Sequence, residues 1–287
     1  MLAILVLTGC SMAQTPPPTP PAPEIESATA VNTLSPADIS PDDPAPDVVP
    51  SPDGSSSDPL WSADPLWSAI APGMEQRLYV PDGNELGAVL VVRVDPSRYE
   101  FRVHYRAEQP LNLRGWRDLL PTAALFINAN FFDENYRIVG LLIQDGAVFG
   151  WPYTERGGLF GVRDDGAVVL RSNREAPYQA GEPLRQAVQA FPMLVIDGQP
   201  APIFDEGRVS RRTAIGVDAE GRVLLMVTPL LGLSLGDLAA YLPRTDLGLV
   251  TAFALDGGRS TMMSAAAGDI NVPSVSLIPA VLAVYPR

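Results

Sequence analysis

The chain contains no lysine, one cysteine and one histidine, and these shortages exclude several common kinds of active site. All of its 20 basic residues are arginines, so neither a lysine Schiff base nor a lysine general base is available. Cys10 and His104 each stand alone, which excludes a disulfide framework and the usual zinc sites. A nucleophile activated by histidine would have to depend on His104. The chemistry must therefore come from carboxylates, arginines, amides and hydroxyls.

A surplus of basic charge is also missing. The net charge is −13, which leaves nothing to neutralise nucleic-acid phosphates, so we expect no nucleic-acid partner. No internal apolar run is long enough to predict a membrane-spanning helix. With 287 residues, 46% of them hydrophobic, the chain can still bury a sizeable core.

Residues 1–10 have features of an export signal. Leu2 to Leu7 are apolar, and Leu7-Thr8-Gly9-Cys10 resembles the bacterial lipobox, in which the cysteine is lipidated after cleavage. An ordinary secretion signal is the alternative. Because the only cysteine occurs here, we predict a lipid anchor at Cys10. In Gram-negative lipoproteins a serine after the lipidated cysteine generally permits export to the outer membrane, so Ser11 predicts a location in the bacterial cell envelope, on the periplasmic face of the outer membrane.

Residues 11–72 have the composition of a linker. They hold 15 of the 30 prolines, nine acidic residues and no arginine. Such a segment cannot bury enough surface to offset its ordering entropy, so we predict an extended, disordered tether. The hexapeptide DPLWSA occurs twice, at 58–63 and 64–69, and either Trp61 or Trp67 is expected to dock on the edge of the following domain.

Residues 73–287 alternate strand and turn patterns, and predict a single α+β catalytic domain with a mixed, mostly antiparallel sheet and a few short helices. Tyr99–Arg106 alternates apolar and polar residues, which places His104 on a solvated face. Asp145-Gly146 predicts a tight hairpin turn. Helices are predicted at 113–120, at 184–190 and, with Ser234 as its N-cap, at 235–242.

The most informative stretch runs from Val250 to Met263. An apolar run typical of a buried strand stops at Asp256, and two glycines follow. Glycines let the backbone turn sharply and approach a ligand closely. A carboxylate is thereby placed at a rigid strand end, followed by a guanidinium and two hydroxyls. A polar turn closing a hairpin is the alternative. The candidate site residues in this stretch are Asp256, Gly257, Gly258, Arg259, Ser260 and Thr261.

A second candidate segment follows the apolar run 123–127. Asn128 and Asn130 alternate on one side of an extended segment and lead into two phenylalanines and Asp133. Amides beside aromatic rings suit sugar recognition, because amides bond to hydroxyls while rings cover the apolar sugar face. Side chains that satisfy loop backbone are the alternative.

Two adjacent arginines, Arg211 and Arg212, open the apolar strand that begins at Thr213. A planar guanidinium fits a pair of phosphate oxygens, so one of them is a candidate anion ligand. A pair of charges at a strand edge is the alternative.

Taken in order, these segments resemble the phosphodiester glycosidase domain family. The motifs are N-A-N-F-F-D, G-L-L-I-Q-D-G, R-T-A-I-G-V-D-A-E-G, L-S-L-G-D-L and A-L-D-G-G-R-S-T. The family commonly has glycines where Ala129, Asn130 and Arg259 stand. The resemblance implies cleavage of the bond between an anomeric carbon and a phosphodiester oxygen, with a substrate like a GlcNAc-1-phosphodiester.

From that resemblance we predict Asp256, Asp133 and Arg212 as catalytic. The carboxylates would support an oxocarbenium-like transition state, and Arg212 would stabilise charge on the departing phosphate. The predicted substrate-binding residues are Asn128, Asn130, Gly257, Gly258, Arg259, Ser260 and Thr261. A lipoprotein that binds envelope glycopolymer without cleaving it is the alternative function. No cofactor is predicted, although oxygen-ligated calcium leaves no compact sequence signature.

Overall fold

The computed structural model describes residues 67–204 and 207–287. Within these ranges the chain forms many short strands and two α-helices. The strands are β1 (Ser68–Ala71), β2 (Met74–Tyr79), β3 (Val89–Val94), β4 (Tyr99–Tyr105), β5 (Leu125–Asn128), β6 (Phe131–Phe132), β7 (Ile138–Val139), β8 (Leu141–Gln144), β9 (Ala147–Gly150), β10 (Gly158–Arg163), β11 (Val168–Ser172), β12 (Leu184–Ala190), β13 (Met193–Ile196), β14 (Gln199–Pro200), β15 (Thr213–Asp218), β16 (Val223–Val227), β17 (Leu249–Ala254), β18 (Met263–Ala265), β19 (Ile270–Val272) and β20 (Ala280–Pro286). The helices are α1 (Leu113–Leu119) and α2 (Leu235–Tyr241).

Three sheets contain almost all of these strands. The largest has eight strands in the order β1-β2-β3-β16-β15-β17-β13-β14. Two five-stranded sheets have the orders β11-β10-β12-β8-β9 and β19-β18-β5-β20-β4, and β6 pairs with β7 as a separate ribbon. Neighbouring strands in the described ranges run antiparallel throughout. The predicted mostly antiparallel arrangement with a few short helices is confirmed, while the predicted α+β class and mixed sheet are corrected to a mostly β fold whose described strand pairs are all antiparallel.

The main core receives side chains from all three large sheets. Val92, Ile215 and Phe253 come from the eight-stranded sheet, Phe160 from the second sheet and Leu282 from the third. A second cluster covers the opposite face of the eight-stranded sheet, where Ala214 and Leu224 meet Leu238 of α2. Because both faces of its central strands are buried, β15, β16 and β17 are almost continuously apolar.

Both helices are short and each covers one sheet. The predicted start of the second is confirmed, since the Ser234 hydroxyl accepts a hydrogen bond from the Asp237 N–H. The first is anchored by Trp116, which is fully buried and donates its indole N–H to the Ile278 carbonyl at 3.0 Å. None of the helices in the described ranges is long and apolar enough to cross a bilayer.

The helix predicted at 184–190 is wrong, because this segment forms β12. It pairs with β10 on one side and β8 on the other, so tertiary pairing overrides its local helix preference. Its buried glutamines bond to neighbouring backbone: Gln186 accepts from the Val103 N–H, and Gln189 accepts from the Leu141 N–H. A strand between two partners can hold polar side chains inside only when such bonds exist.

The folded part begins earlier than residue 73. Strand β1 belongs to the eight-stranded sheet, although residues 67–72 were assigned to the linker. As expected for one of the two tryptophans, Trp67 docks on the domain: it meets the Tyr79 ring edge-on at 6.3 Å and lies beneath the Arg93 guanidinium at 4.0 Å. Cys10 and the remainder of the predicted tether lie outside the described residues.

His104 is less exposed than its strand pattern predicts. It is half-buried, and its ring contacts Tyr285 of the neighbouring strand β20, whose hydroxyl lies 2.9 Å from Nε2. Burial lowers the pKa of His104. The predicted Asp145-Gly146 turn is confirmed, because both residues have the positive φ angles, 49° and 82°, that such a turn requires.

Candidate active site

Three segments that are far apart in sequence meet where β5 and β17 end and β15 begins. The Asp256 N–H donates to the Ala129 carbonyl at 3.1 Å, and the Leu255 N–H donates to the Thr213 carbonyl at 2.8 Å. The Gly258 N–H donates to the Arg211 carbonyl at 2.7 Å. The structure thus brings the asparagine segment, the arginine pair and the Asp256 turn into one cluster.

Asn128 is the central connection of this cluster. Its side-chain amide donates to the Asp256 carbonyl at 2.6 Å, and its Oδ1 accepts from the Thr213 hydroxyl at 2.8 Å and the Met262 N–H at 2.9 Å. The residue is only 1% exposed. Asn128 therefore holds the strand ends of the candidate site together, and its predicted substrate-binding role stays a prediction.

Asp256 is a carboxylic acid that the fold partly shields from water. Burial raises its pKa from 3.8 to about 6, while hydrogen bonds from the Ser260 hydroxyl and the Gly257 N–H lower it in part. A carboxyl with a pKa this close to neutrality can exchange a proton under ordinary conditions. Strongly shifted carboxyls held at strand ends are frequent at functional sites.

The turn after Asp256 needs glycine for a steric reason. A Cβ on Gly257 would lie 2.9 Å from the Arg211 carbonyl oxygen, which is closer than real Cβ contacts. Gly258 has a φ of +61°, which disfavours any residue with a side chain. The two glycines therefore allow the Asp256 turn to lie directly on the backbone of the arginine segment.

Ser260 and Thr261 are both buried at the end of this turn. The Ser260 hydroxyl is committed to the Asp256 carboxylate. Thr261 is fully buried, and its hydroxyl has no hydrogen-bond partner among the described residues. A buried hydroxyl without a hydrogen bond is destabilising, so the Thr261 hydroxyl is a polar group that the described part of the fold leaves unsatisfied.

Asn130 shares this property in part. Its Nδ2 donates to the Leu141 and Gln189 carbonyls at 2.8 and 2.9 Å, while its buried Oδ1 has no partner in the described chain. Asn130 therefore joins the asparagine segment to the second sheet, through the ends of β8 and β12. Its substrate-binding role stays a prediction.

Arg212 faces away from Asn128. Its neighbour Thr213 points to Asn128, and side chains of an extended chain alternate, so Arg212 lies on the opposite side. Its Nε donates to the Leu233 carbonyl at 2.8 Å, and its Nη2 donates to the Arg208 carbonyl at 2.5 Å. These contacts give it a structural task at the start of α2, and its predicted catalytic role stays a prediction.

Arg259 is the exposed residue of the turn that follows Asp256. Its carbonyl accepts hydrogen bonds from the Val275 and Ser276 N–H groups, at 2.7 and 3.1 Å, which ties the turn to the segment before β20. Its side chain is exposed. The residue is thus positioned at the solvent side of the cluster, where a ligand could reach it.

Asp133 is placed in the β6–β7 loop and is exposed. Its Oδ1 accepts from the Asn135 and Arg137 N–H groups, both at 2.9 Å, and so caps its own hairpin. Within the described ranges it shares no hydrogen bond with the Asp256 cluster. Its predicted role as a catalytic carboxylate stays a prediction.

One member of the cluster, Thr213, is not among the residues predicted from the sequence, and Arg211 is predicted there only as one of two alternative anion ligands. Thr213 is buried and bonds to Asn128. Arg211 is half-buried and supports the Asp256 turn through its carbonyl. In an extended chain, alternate side chains lie on the same side, so the sequence could have placed Arg211 and Thr213 on one face. No group of three or more acidic, histidine or cysteine residues that could hold a metal ion occurs in the described ranges.

Comparison with known proteins agrees with this assembly of motifs. The phosphodiester glycosidase family matches residues 122–285, which is more than half of the chain. No curated protein sequence matches significantly. The catalytic domain of zebrafish N-acetylglucosamine-1-phosphodiester alpha-N-acetylglucosaminidase, auto-inhibited by its pro-peptide, is similar in structure with a TM-score of 0.56 and 20% identity; the match covers 76% of this chain and 85% of that one.

A hypothetical protein from Synechocystis is similar with a TM-score of 0.55 and 16% identity. That match covers 75% of this chain and 62% of the other. At these identities the structural likeness shows the fold, while the family match covers all three segments of the candidate site.

Proposed function

The chain belongs to the phosphodiester glycosidase family, and on that premise we propose that it hydrolyses the glycosidic C–O bond of a sugar-1-phosphodiester, such as a GlcNAc-1-phosphodiester. The observation that carries the proposal is Asp256. It is a partly buried carboxyl with a pKa of about 6, held by Asn128 on a turn made of family motif residues.

The chemistry suits a single well-placed carboxylate. A phosphate ester is a good leaving group, so the main barrier is formation of the oxocarbenium-like sugar cation. At neutral pH an acid with a pKa of about 6 is mostly ionised. The Asp256 carboxylate then either attacks C1, forming a glycosyl ester that water hydrolyses to free sugar and carboxylate, or takes the proton from a water that attacks C1 directly. The C–O bonding electrons leave with the phosphomonoester.

The surrounding residues act by keeping Asp256 in place. The Ser260 hydroxyl and the Gly257 N–H orient the carboxylate, and Asn128 fixes the main chain that carries it. Such hydrogen bonds keep a catalytic group in its reactive orientation, so less of the barrier is spent on ordering it. Arg259, the exposed residue of the turn, is positioned to meet the substrate as it enters.

We also propose that the enzyme acts in the bacterial envelope, anchored through Cys10, on a carbohydrate or glycopolymer phosphodiester. The lipobox-like Leu7-Thr8-Gly9-Cys10 and the proline-rich, acidic composition of residues 11–66 support this. Metabolic labelling with palmitate tests it, since labelled wild-type protein and unlabelled C10A are expected.

The activity is tested by incubating the full chain with a GlcNAc-1-phosphodiester and measuring released sugar. Wild-type protein is expected to turn over, and D256N is expected to lose about 1,000-fold in kcat. R114Q, which changes an exposed arginine of α1, serves as the control. Equal turnover by D256N and wild type would contradict the role of Asp256.

A further inference from the structure

The two adjacent arginines point to opposite faces of the same extended segment. Ala214 packs in the cluster under α2, whereas Ile215 packs in the main core, so residues with odd numbers here face the core side. Thr213 obeys this rule, because its hydroxyl donates to Asn128. Arg211 therefore lies on the face that carries Asn128, and Arg212 lies on the face that carries α2.

Arg211 is placed alongside the turn that carries Asp256. Its carbonyl accepts the Gly258 N–H at 2.7 Å, and its Nη1 reaches across to the Pro273 carbonyl at 3.0 Å. The segment beyond Pro273 is itself bonded to the Asp256 turn, since the Val275 N–H donates to the Arg259 carbonyl at 2.7 Å. The guanidinium thus lies between the Gly257–Ser260 turn and the 273–276 segment.

The hydrogen-bonding capacity of this guanidinium is largely unused. Its Nε is buried and donates to none of the described residues, and no carboxylate in those ranges forms an ion pair with it. A guanidinium carries five N–H donors, and the Pro273 carbonyl accepts from one of its nitrogens. Burial lowers the pKa of Arg211, which is the expected effect of desolvating a cation without an anionic neighbour.

An unpaired, half-buried cation is destabilising unless a ligand completes it. The chemistry that completes a guanidinium best is a pair of anionic oxygens, as a phosphate presents. Arg212 does not have this capacity free, because backbone carbonyls accept from its Nε and Nη2. The side chain that the segment offers to an anion is therefore Arg211.

We infer that Arg211 binds the phosphate of the sugar phosphodiester and stabilises the charge that develops on it as the C–O bond breaks. The inference rests on the proposed function for the identity of the ligand, and it deepens that function by naming its phosphate-binding residue. Two charged groups then act at one place: Asp256, at the start of the turn, acts on the sugar carbon, and Arg211, on the segment beside the turn, binds the leaving phosphate.

The test uses inorganic phosphate as probe and the full chain as wild type, R211Q, R211K and the control R114Q. Binding is measured by calorimetry, and activity by kcat and KM on a GlcNAc-1-phosphodiester. Wild type and R114Q are expected to bind phosphate equally, and R211Q about 30-fold more weakly. R211K keeps the positive charge but loses the planar guanidinium, so its phosphate affinity is expected to lie between those of wild type and R211Q. R211Q is also expected to lose about 100-fold in kcat.

Melting temperatures of all four proteins separate these effects from misfolding. Phosphate binding by R211Q that equals wild type, in a folded protein, would overturn the inference while turnover by wild type kept the proposed function. Phosphate binding that depends on Arg211, with no phosphodiester turnover by wild type, would support the anion site and contradict the proposed function. Absence of phosphate binding by wild type would overturn the inference.

Discussion

The side-chain amide of Asn128 donates a hydrogen bond of 2.6 Å to the main-chain carbonyl of Asp256, 128 residues further along the chain. The same side chain accepts from Thr213 and from Met262. One buried amide thus fixes the relative positions of the strand ends that form the candidate site. The position of the Asp256 carboxylate therefore depends on this amide as well as on strand β17, which precedes it.

Replacing Asn128 by alanine should therefore damage both the site and the fold. N128A removes three hydrogen bonds in a buried region, and is expected to lose about 2 to 3 kcal/mol of unfolding free energy. A shift of the carboxylate by about 1 Å is expected to lower kcat about 100-fold. Urea unfolding and steady-state kinetics check this, with N271A, at an exposed partner of Arg117, as the control. An N128A enzyme with unchanged kcat would show that Asn128 does not position Asp256.

The pH dependence of activity should follow Asp256. The carboxylate is the active form in the proposed mechanism, so kcat/KM is expected to rise with pH and level off, with a midpoint near the pKa of about 6. Measuring kcat/KM between pH 4.5 and 8, at about half-unit steps, tests this. A profile that falls through pH 6 would instead assign the protonated acid as the active form.

The same ionisation should destabilise the fold at neutral pH. Because the pKa is higher in the folded protein than the ordinary 3.8, the folded state binds the proton more tightly. Stability from this group is thus present below about pH 4 and is lost as pH rises to about 6, by about 3 kcal/mol in all. D256N lacks this ionisation, so its unfolding free energy minus that of wild type should be higher by about 2.5 kcal/mol at pH 7.5 than at pH 4. An equal difference at both pH values would contradict the burial of a charged Asp256.

Gly257 should not tolerate a methyl group. In G257A the new Cβ would lie 2.9 Å from the Arg211 carbonyl oxygen, so the turn must move. The expected loss is about 1 to 3 kcal/mol of stability together with most of the activity. G221A is the control, because its Cβ meets nothing within 4 Å and only its φ of +79° is unfavourable. Full activity in G257A would show that the turn can shift without consequence.

Asp133 offers a test that separates two roles. Its Oδ1 caps the β6–β7 loop, and asparagine can supply the same acceptor. D133N is therefore expected to keep kcat within about twofold, whereas D133A should lose about 1 kcal/mol of stability. A folded D133N with kcat reduced about 100-fold would contradict the purely structural role and support the predicted role of Asp133 as a catalytic carboxylate.

Local features of the fold were predictable because their causes lie within a few residues. The Ser234 cap depends on the Asp237 N–H three residues away, and the Asp145-Gly146 turn depends on two residues that adopt positive φ. The segment 184–190 has local helix preference, but β10 and β8 on either side make it a strand. A sequence alone does not reveal which strands will flank a segment.

The candidate site was predictable as a set of segments and not as a set of contacts. The motifs around Asn128, Arg212 and Asp256 do assemble, as the family resemblance implied. Which arginine of the pair faces the site depends on which face of β15 packs on the main core. That packing depends on tertiary contacts and cannot be read from the local sequence. Likewise Asn128 looks like a ligand residue in sequence, and only its three buried partners show its structural task.

The most direct test of the central claim follows the oxygen of water. The full chain is incubated with a GlcNAc-1-phosphodiester in ¹⁸O-labelled water, and the products are analysed by phosphorus and proton NMR. We expect the label in the free sugar and an unlabelled phosphomonoester, which would establish C–O cleavage, with the first anomer released distinguishing retention from inversion. Label in the phosphate would establish P–O cleavage and contradict the proposed glycosidase mechanism.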